Sequence, residues 1–343
     1  MNNNKRITIY DLAKELNVSP SYISKALNNH PLVSMKMREK VQKKAIELKY
    51  KHNSYAANLR KGISRTIGVV VPQINSFFSE AIAGIEEVCS NQDYGLVICR
   101  SHDSYENECR ALDTLMRQNV DCILISIAAE TYSGEHLQNI INNGIPVIQF
   151  DRFVDNFNAF RVVNNNEEMA YWAVKHLINK GYKRIVYLGG TEVLTIYRLR
   201  KEGYLRALKE ANLSISTDLI FDNAFSEKST IDIAIQLLSS NTPPDAFFTG
   251  SDYAALNVLQ VADNLGINIP DELGIIGSGN DILTKFTKPR LSAIDQKSME
   301  LGRKAANLYF EILAKEENKE KVVEKEEIVP GDILTRESTA KSQ

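Results

Sequence analysis

The sequence predicts a small all-α head with a helix-turn-helix, followed by a larger α/β body of two doubly wound parallel-sheet lobes. Three observations carry that reading. Residues 7–48 hold three short apolar-periodic segments with capping residues at their starts. From Thr66 onward, apolar runs of strand length alternate with helical patterns, and the rhythm restarts near Lys183. Charge is also divided along the chain: residues 1–61 carry thirteen of the 41 Lys and Arg residues but only four of the 43 acids, leaving 28 basic and 39 acidic residues beyond. Alternating strands and helices argue for parallel sheets covered on both faces, and two such series argue for two lobes.

In the head, Thr8 followed by Asp11 is an acidic variant of a capping box, and Leu12, Ala13 and Leu16 recur at helical spacing. Ser19 is a suitable N-cap and Pro20 suits a first helical position, so a second helix starts after a very short turn and carries Ile23, Ala26 and Leu27 inward. Ser34 is placed to cap a third helix through Arg38, Val41, Ala45 and Leu48, which completes a three-helix core. Two short helices joined this tightly form a helix-turn-helix, whose second helix enters a major groove with its N-terminal side chains toward the bases. Those side chains are Pro20, Ser21, Tyr22, Ser24 and Lys25. The basic head on an acidic body is the electrostatic footprint of a nucleic-acid-binding module.

In the body, buried-looking runs occur at 66–72, 95–99, 121–127, 145–150 and 160–163, and again at 183–190, 245–250 and 273–278. Residues 79–90 and 106–118 read as helices between them, and 315–327 as a solvated helix end and loop. No signal peptide pattern opens the chain, and no apolar run approaches the roughly 18 residues a membrane span needs, so a cytoplasmic protein with no membrane partner is expected. Cys89, Cys99, Cys109 and Cys122 lack paired metal spacing and read as free thiols. Five histidines show no metal spacing and no Ser/His/Asp order, so neither a metal, a cofactor nor an enzyme is expected.

The run IYDLAKELNVS, with the downstream VS, REKV and ELKY, resembles the headpiece of the LacI/GalR family of transcription regulators, and VPGDILTRESTA near the C-terminus resembles that family's closing strand. The resemblance implies a DNA-binding headpiece (1–61, with a hinge segment at about 52–61) on a periplasmic-binding-protein-like core (62–343). It further implies that the lobes exchange chain more than once, with lobe 1 at about 65–162 and 295–323 and lobe 2 at about 163–292 and 324–343. It also implies a homodimer on double-stranded operator DNA, with a hinge that folds on DNA and inserts a leucine, here Leu59, into the minor groove. The segment itself is too short to be a stable isolated helix. The DNA-facing set is then Thr8, Ser19, Pro20, Ser21, Tyr22, Ser24, Lys25, Asn28 and Arg38 in the head, with Asn53, Ala56 and Leu59 in the hinge.

Ligands of open parallel sheets bind beyond the carboxyl ends of the strands, so residues just after each apolar run carry the information. By resemblance, Phe78 and Phe225 fall where the family places apolar or aromatic groups against its effector. Asp151 and Arg200 fall where it places a carboxylate and a guanidinium. Rings stack on a sugar face or a planar base, while the charged pair holds hydroxyls, carbonyls or acids. With Ser76, Ser251 and Gly279 these form the predicted effector set. The chain departs from the family at two of them: Ser251 replaces the usual asparagine, and Gly279 has no side chain where a carboxylate is common. The expected function is that of a transcriptional regulator, repressor-like in family, controlled by a small molecule. The alternative is a solute-binding or sugar-processing protein with a basic head.

Overall fold

The structure, a computed structural model, describes residues 7–27, 29–50, 63–224 and 226–341. It divides into two compact units, Met1–Ser64 and Arg65–Gln343.

The first unit contains helices α1 (Ile9–Leu16), α2 (Pro20–Leu27) and α3 (Met35–Glu47). The capping box at Thr8 is complete: the Asp11 N–H donates to Thr8 Oγ1, and the Thr8 N–H donates to Asp11 Oδ2 at 2.7 Å. Helix α1 stops at Asn17, which adopts the left-handed conformation (φ 53°) that asparagine tolerates better than most side chains. Ser19 Oγ then accepts the Tyr22 N–H at 3.2 Å and starts α2, three residues separating it from α1. The expected Ser34 cap differs in detail, because Ser34 occupies the N-cap position of α3 but its side chain makes no capping hydrogen bond. Leu12, Ala13, Ile23, Ala26, Val33, Val41 and Ala45 meet in one core.

In the second unit the described residues form two six-stranded sheets. The first has the order β11-β5-β4-β3-β1-β2, from strands β1 (Thr66–Val71), β2 (Gly95–Arg100), β3 (Cys122–Ile125), β4 (Val147–Phe150), β5 (Phe160–Asn164) and β11 (Glu326–Val329), all paired in parallel. The second has the order β12-β10-β9-β8-β6-β7, from β6 (Ile185–Leu188), β7 (Ile220–Phe221), β8 (Ala246–Thr249), β9 (Gly274–Ser278), β10 (Ser292–Asp295) and β12 (Asp332–Leu334). Among the described strands only β12 runs antiparallel, against β10. Both faces of each sheet carry helices, and this is why β1, β3, β4, β6, β8 and β9 are buried along their whole length. Among these helices are α4 (Ser76–Asn91), α7 (Asn166–Asn179), α8 (Thr195–Glu210), α10 (Asp252–Asn264) and α11 (Ser298–Glu317). They follow in chain order, with α5 (Tyr105–Arg117) and α6 (Glu135–Asn142) after α4, and α9 (Glu227–Leu238) after α8.

The chain passes between the sheets three times, at 164–166, 295–298 and 329–332. This corrects the expected lobe boundaries. Residues 324–343 were expected wholly in lobe 2, yet Glu326–Val329 pairs with β5 in the first sheet, in register from Glu326 with Arg161 to Val329 with Asn164. The segment reads as a solvated loop because an edge strand keeps its charges outward; only Val329 enters the lobe 1 core. Strand β10 belongs wholly to the second sheet, so Asp295 is the last residue of lobe 2 before the crossover. Strand β7 escapes sequence reading because it is two residues long.

Candidate functional site

Two sites follow from the fold, one in each unit. On the first unit, Ser21 and Lys25 are exposed on α2, one turn apart, while Pro20, Tyr22 and Ser24 are half-buried beside them. Tyr22 also packs against the three-helix core and stays partly accessible. Thr8 and Ser19 use their side chains as caps and lie exposed at the starts of the two helices, where free N–H groups and the helix dipole favour phosphate. Arg38 also braces the loop between α2 and α3, because its Nε and one Nη donate to the carbonyls of Val33 and His30, at 2.8 and 3.0 Å. Asn28, Asn53, Ala56 and Leu59, like Phe225 of the effector set, lie outside the described residues.

In the second unit, the carboxyl ends of β1, β4, β6, β8, β9 and β10 converge on a cleft of about 740 Å³. Of the predicted effector residues, Ser76, Phe78, Asp151, Arg200, Ser251 and Gly279 all line it. Their environments differ from a simple open pocket. Phe78 is buried and packs edge-on against Phe77 (5.0 Å between ring centres) and Phe150 (6.4 Å), so the more accessible Phe77 presents the ring at the surface of the cleft. Ser251 caps α10 by accepting the Ala254 N–H at 3.2 Å. Asp151 sits in the left-handed region (φ 61°) immediately after β4, a conformation that costs on the order of 1 kcal/mol or more for a side-chain-bearing residue and that concentrates at functional sites. Burial lifts its carboxyl above the usual range, against the opposing pull of Arg152, Arg200 and the Ser126 hydroxyl.

Arg200 is only 3% exposed, and three of its donors are engaged: Nε on Asn166 Oδ1 (2.9 Å), Nη1 on the Gly250 carbonyl (2.9 Å) and Nη2 on Gln296 Oε1 (2.5 Å). Gly203 makes this reach possible. A Cβ there would lie 2.2 Å from the Glu167 carbonyl, so only glycine lets α8 approach α7 closely enough to bring Arg200 to Asn166.

The predicted effector set names Gly279 but neither Asp281 nor Asp252, although both stand just after strand ends. Asp281, two residues on, supplies a carboxylate to the same wall: Oδ1 accepts the Leu283 N–H at 2.9 Å, and Oδ2 accepts a hydrogen bond from Ser76 Oγ across the cleft. Asp252 accepts the Asp281 N–H at 2.6 Å, while its other oxygen is buried with no hydrogen-bond partner. Burial, reinforced by the Asp281 charge, pushes the Asp252 carboxyl up to about 7, although the Asp281 N–H, Arg336 and Arg200 pull the other way. Gln296 was also missed, although it follows a strand end by the rule that found the others. At another edge, Arg198 of lobe 2 pairs with Asp155 of lobe 1 at 2.8 Å.

A helix-turn-helix joined in one chain to two α/β lobes around a polar and aromatic cleft defines a DNA-binding protein with a small-molecule receptor fold. Residues 8–53 match the bacterial regulatory proteins of the lacI family, and residues 174–339 match the periplasmic binding protein-like domain. Catabolite control protein A of Priestia megaterium is 31% identical, over 97% of this chain and 99% of that protein. The HTH-type transcriptional repressor PurR of Vibrio vulnificus (strain CMCP6) is 31% identical over 96% and 99%. Among solved structures, the lac repressor dimer bound to operator and the anti-inducer ONPF matches with a TM-score of 0.85 at 22% identity, covering 98% of this chain and 99% of that one. That likeness is one of fold. A LacI family transcriptional regulator from Enterococcus faecium with bound ribose gives a TM-score of 0.70 at 28% identity, over 81% and 100%. The chain belongs to the lacI family of bacterial regulatory proteins.

Proposed function

We propose that this protein is a homodimeric transcription regulator that binds a two-fold-related operator through Ser21, Lys25 and their neighbours, and changes its operator affinity when a small polar effector occupies the cleft. The observation that carries the reading is the joint presence of an outward-facing, capped second helix and a cleft at the strand ends of both sheets. The cleft offers an aromatic ring (Phe77), carboxylates (Asp151, Asp281) and a guanidinium (Arg200). Such a set suits a hydroxylated ring: the ring face stacks on Phe77, hydroxyls donate to carboxylates, and ring or carbonyl oxygens accept from Arg200. Relatives named as repressors and a relative holding ribose support the direction of control and the class of ligand. Asp151 and Asp252 are buried carboxyls with raised affinity for protons, and the function proposed is binding rather than catalysis. A regulator that works on the chromosome acts in the cytoplasm. Among the described residues no helix is long and apolar enough to cross a membrane.

The test is the salt dependence of duplex binding. A dimer that neutralises several phosphates should lose affinity with a log–log slope of roughly −0.9 per phosphate contacted. A flat response across salt concentrations would remove DNA as the partner.

A further inference from the structure

We infer that Arg200 is a strut tying the effector cleft to the hinge between the lobes, acting through Gln296 and the Asn164-Asn165-Asn166 run. The three chain crossovers are stitched together by this run. Asn164 Nδ2 donates to the Gln296 carbonyl of the second crossover and to the Val329 carbonyl of the third, both at 2.9 Å. Two carbonyls each demanding a donor fix the orientation of that amide and engage both of its hydrogens. Asn165 Oδ1 accepts the Gly331 N–H of the third crossover at 3.0 Å. Asn166 donates to the Asn164 carbonyl and accepts from Arg200.

The crossovers are also in close backbone contact. A Cβ at Gly331 would lie 2.7 Å from the Asp295 carbonyl, so the third crossover lies directly against the end of β10. Arg200 joins this clasp from the cleft side. Its fork reaches the first crossover at Asn166, the second at Gln296, and the end of β8 at Gly250. Asn164, Asn166, Gln296 and Arg200 are all buried, so these bonds form in a low-dielectric setting where losing one leaves a polar group without a partner.

Every acceptor on the Arg200 fork is neutral, and only three of the five guanidinium N–H groups are engaged in these bonds. A ligand acceptor arriving in the cleft therefore meets a full positive charge already shared between two crossovers and a strand end. Drawing the fork toward the ligand weakens its bonds to Gln296 or Gly250 and changes how the crossovers are held. That gives an effector different affinities for different lobe arrangements, which is what a population shift requires. This consequence rests on the effector reading of the cleft; the strut itself does not.

The test therefore uses the full chain with neither DNA nor ligand, and reads backbone amide exchange by mass spectrometry at 163–166, 295–298 and 329–332. Gln296→Ala should speed exchange at the first and third of these segments on the order of ten-fold, the factor that corresponds to losing a hydrogen bond to a charged group. Gln296→Glu, which keeps an acceptor for Nη2, should restore protection. Arg200→Lys, which keeps the charge and loses the fork, should reproduce the alanine effect, and the double variant Arg200→Lys/Gln296→Ala should be no faster than either single one. Faster exchange confined to α8 and the end of β8, with wild-type rates at the crossovers, would make Arg200 a cleft-wall residue only. Additive effects of the two substitutions would likewise overturn the strut. If Gln296→Ala does not fold, the comparison of Arg200→Lys with wild type decides the same question.

Discussion

Asp252 is 2% exposed, accepts one hydrogen bond and leaves its second oxygen without a partner, so its ionised form is poorly compensated. Replacing it by asparagine should therefore stabilise the second unit, in a way that depends on pH. The carboxyl binds its proton up to about 7 in the folded chain, against an ordinary 3.8. In the window between those values the folded state holds the proton and the unfolded state has released it. Stability is then greatest below the lower value, falls as pH rises through the window, and stays level above it. The rise from 3.8 to about 7 corresponds to a ceiling of about 4 kcal/mol for the cost of ionising Asp252 at pH 8. The variant Asp252→Asn retains an oxygen to accept the Asp281 N–H but places an amide donor where the unpartnered oxygen stands, and an unsatisfied donor costs about 1 to 3 kcal/mol. A net gain of about 1 to 3 kcal/mol at pH 8 is expected, vanishing or reversing near pH 4. Urea unfolding of both proteins at the two pH values measures it, with Trp172, the single tryptophan, reporting from the second unit. Contributions from titrating groups that do not interact with Asp252 cancel in the difference between variants. An advantage of the same size at both pH values, or a variant less stable at pH 8, would show that Asp252 does not carry the buried charge described above.

Lys25→Ala should cost about 1 to 3 kcal/mol in operator preference if the ammonium reads a base edge, measured as the ratio of specific to non-specific binding by fluorescence anisotropy; an equal loss on every sequence would reassign Lys25 to phosphate. Thr8→Ala removes the reciprocal cap of α1 and should lower the stability of the first unit by about 0.5 to 2 kcal/mol in thermal unfolding, whereas Ser34→Ala, whose side chain makes no cap bond, should cost less. Gly331→Ala drives a methyl group against the Asp295 carbonyl and Met169 Sδ, and should destabilise the second unit by about 1 to 3 kcal/mol. Because Met169 can move and the carbonyl cannot, adding Met169→Ala should recover only part of that loss in the same unfolding assay.

The head was legible in the sequence because its determinants are local. Thr8, Asp11, Ser19 and Pro20 act within three or four residues of themselves, and the apolar spacing that follows them is set by the helical period. The α/β rhythm was legible for a similar reason, since strands buried on both faces must be continuously apolar. The strand-end rule then placed six of the seven predicted effector residues on one cleft, the seventh lying outside the described residues. Tertiary structure decided what pairing over long separations decides. Glu326–Val329 joins the first sheet through Phe160–Asn164, a partner more than 160 residues away, and nothing in its charged pattern announces that edge. Gly279 offers no carboxylate of its own, and only the folded wall shows the Asp252 and Asp281 carboxylates beside it. Arg200 reads from sequence as a ligand residue. Its bonds to Asn166, Gly250 and Gln296 appear only when α8, the end of β8 and two crossovers meet, because a guanidinium fork is satisfied by acceptors arranged in space and carries no record of which segments provide them.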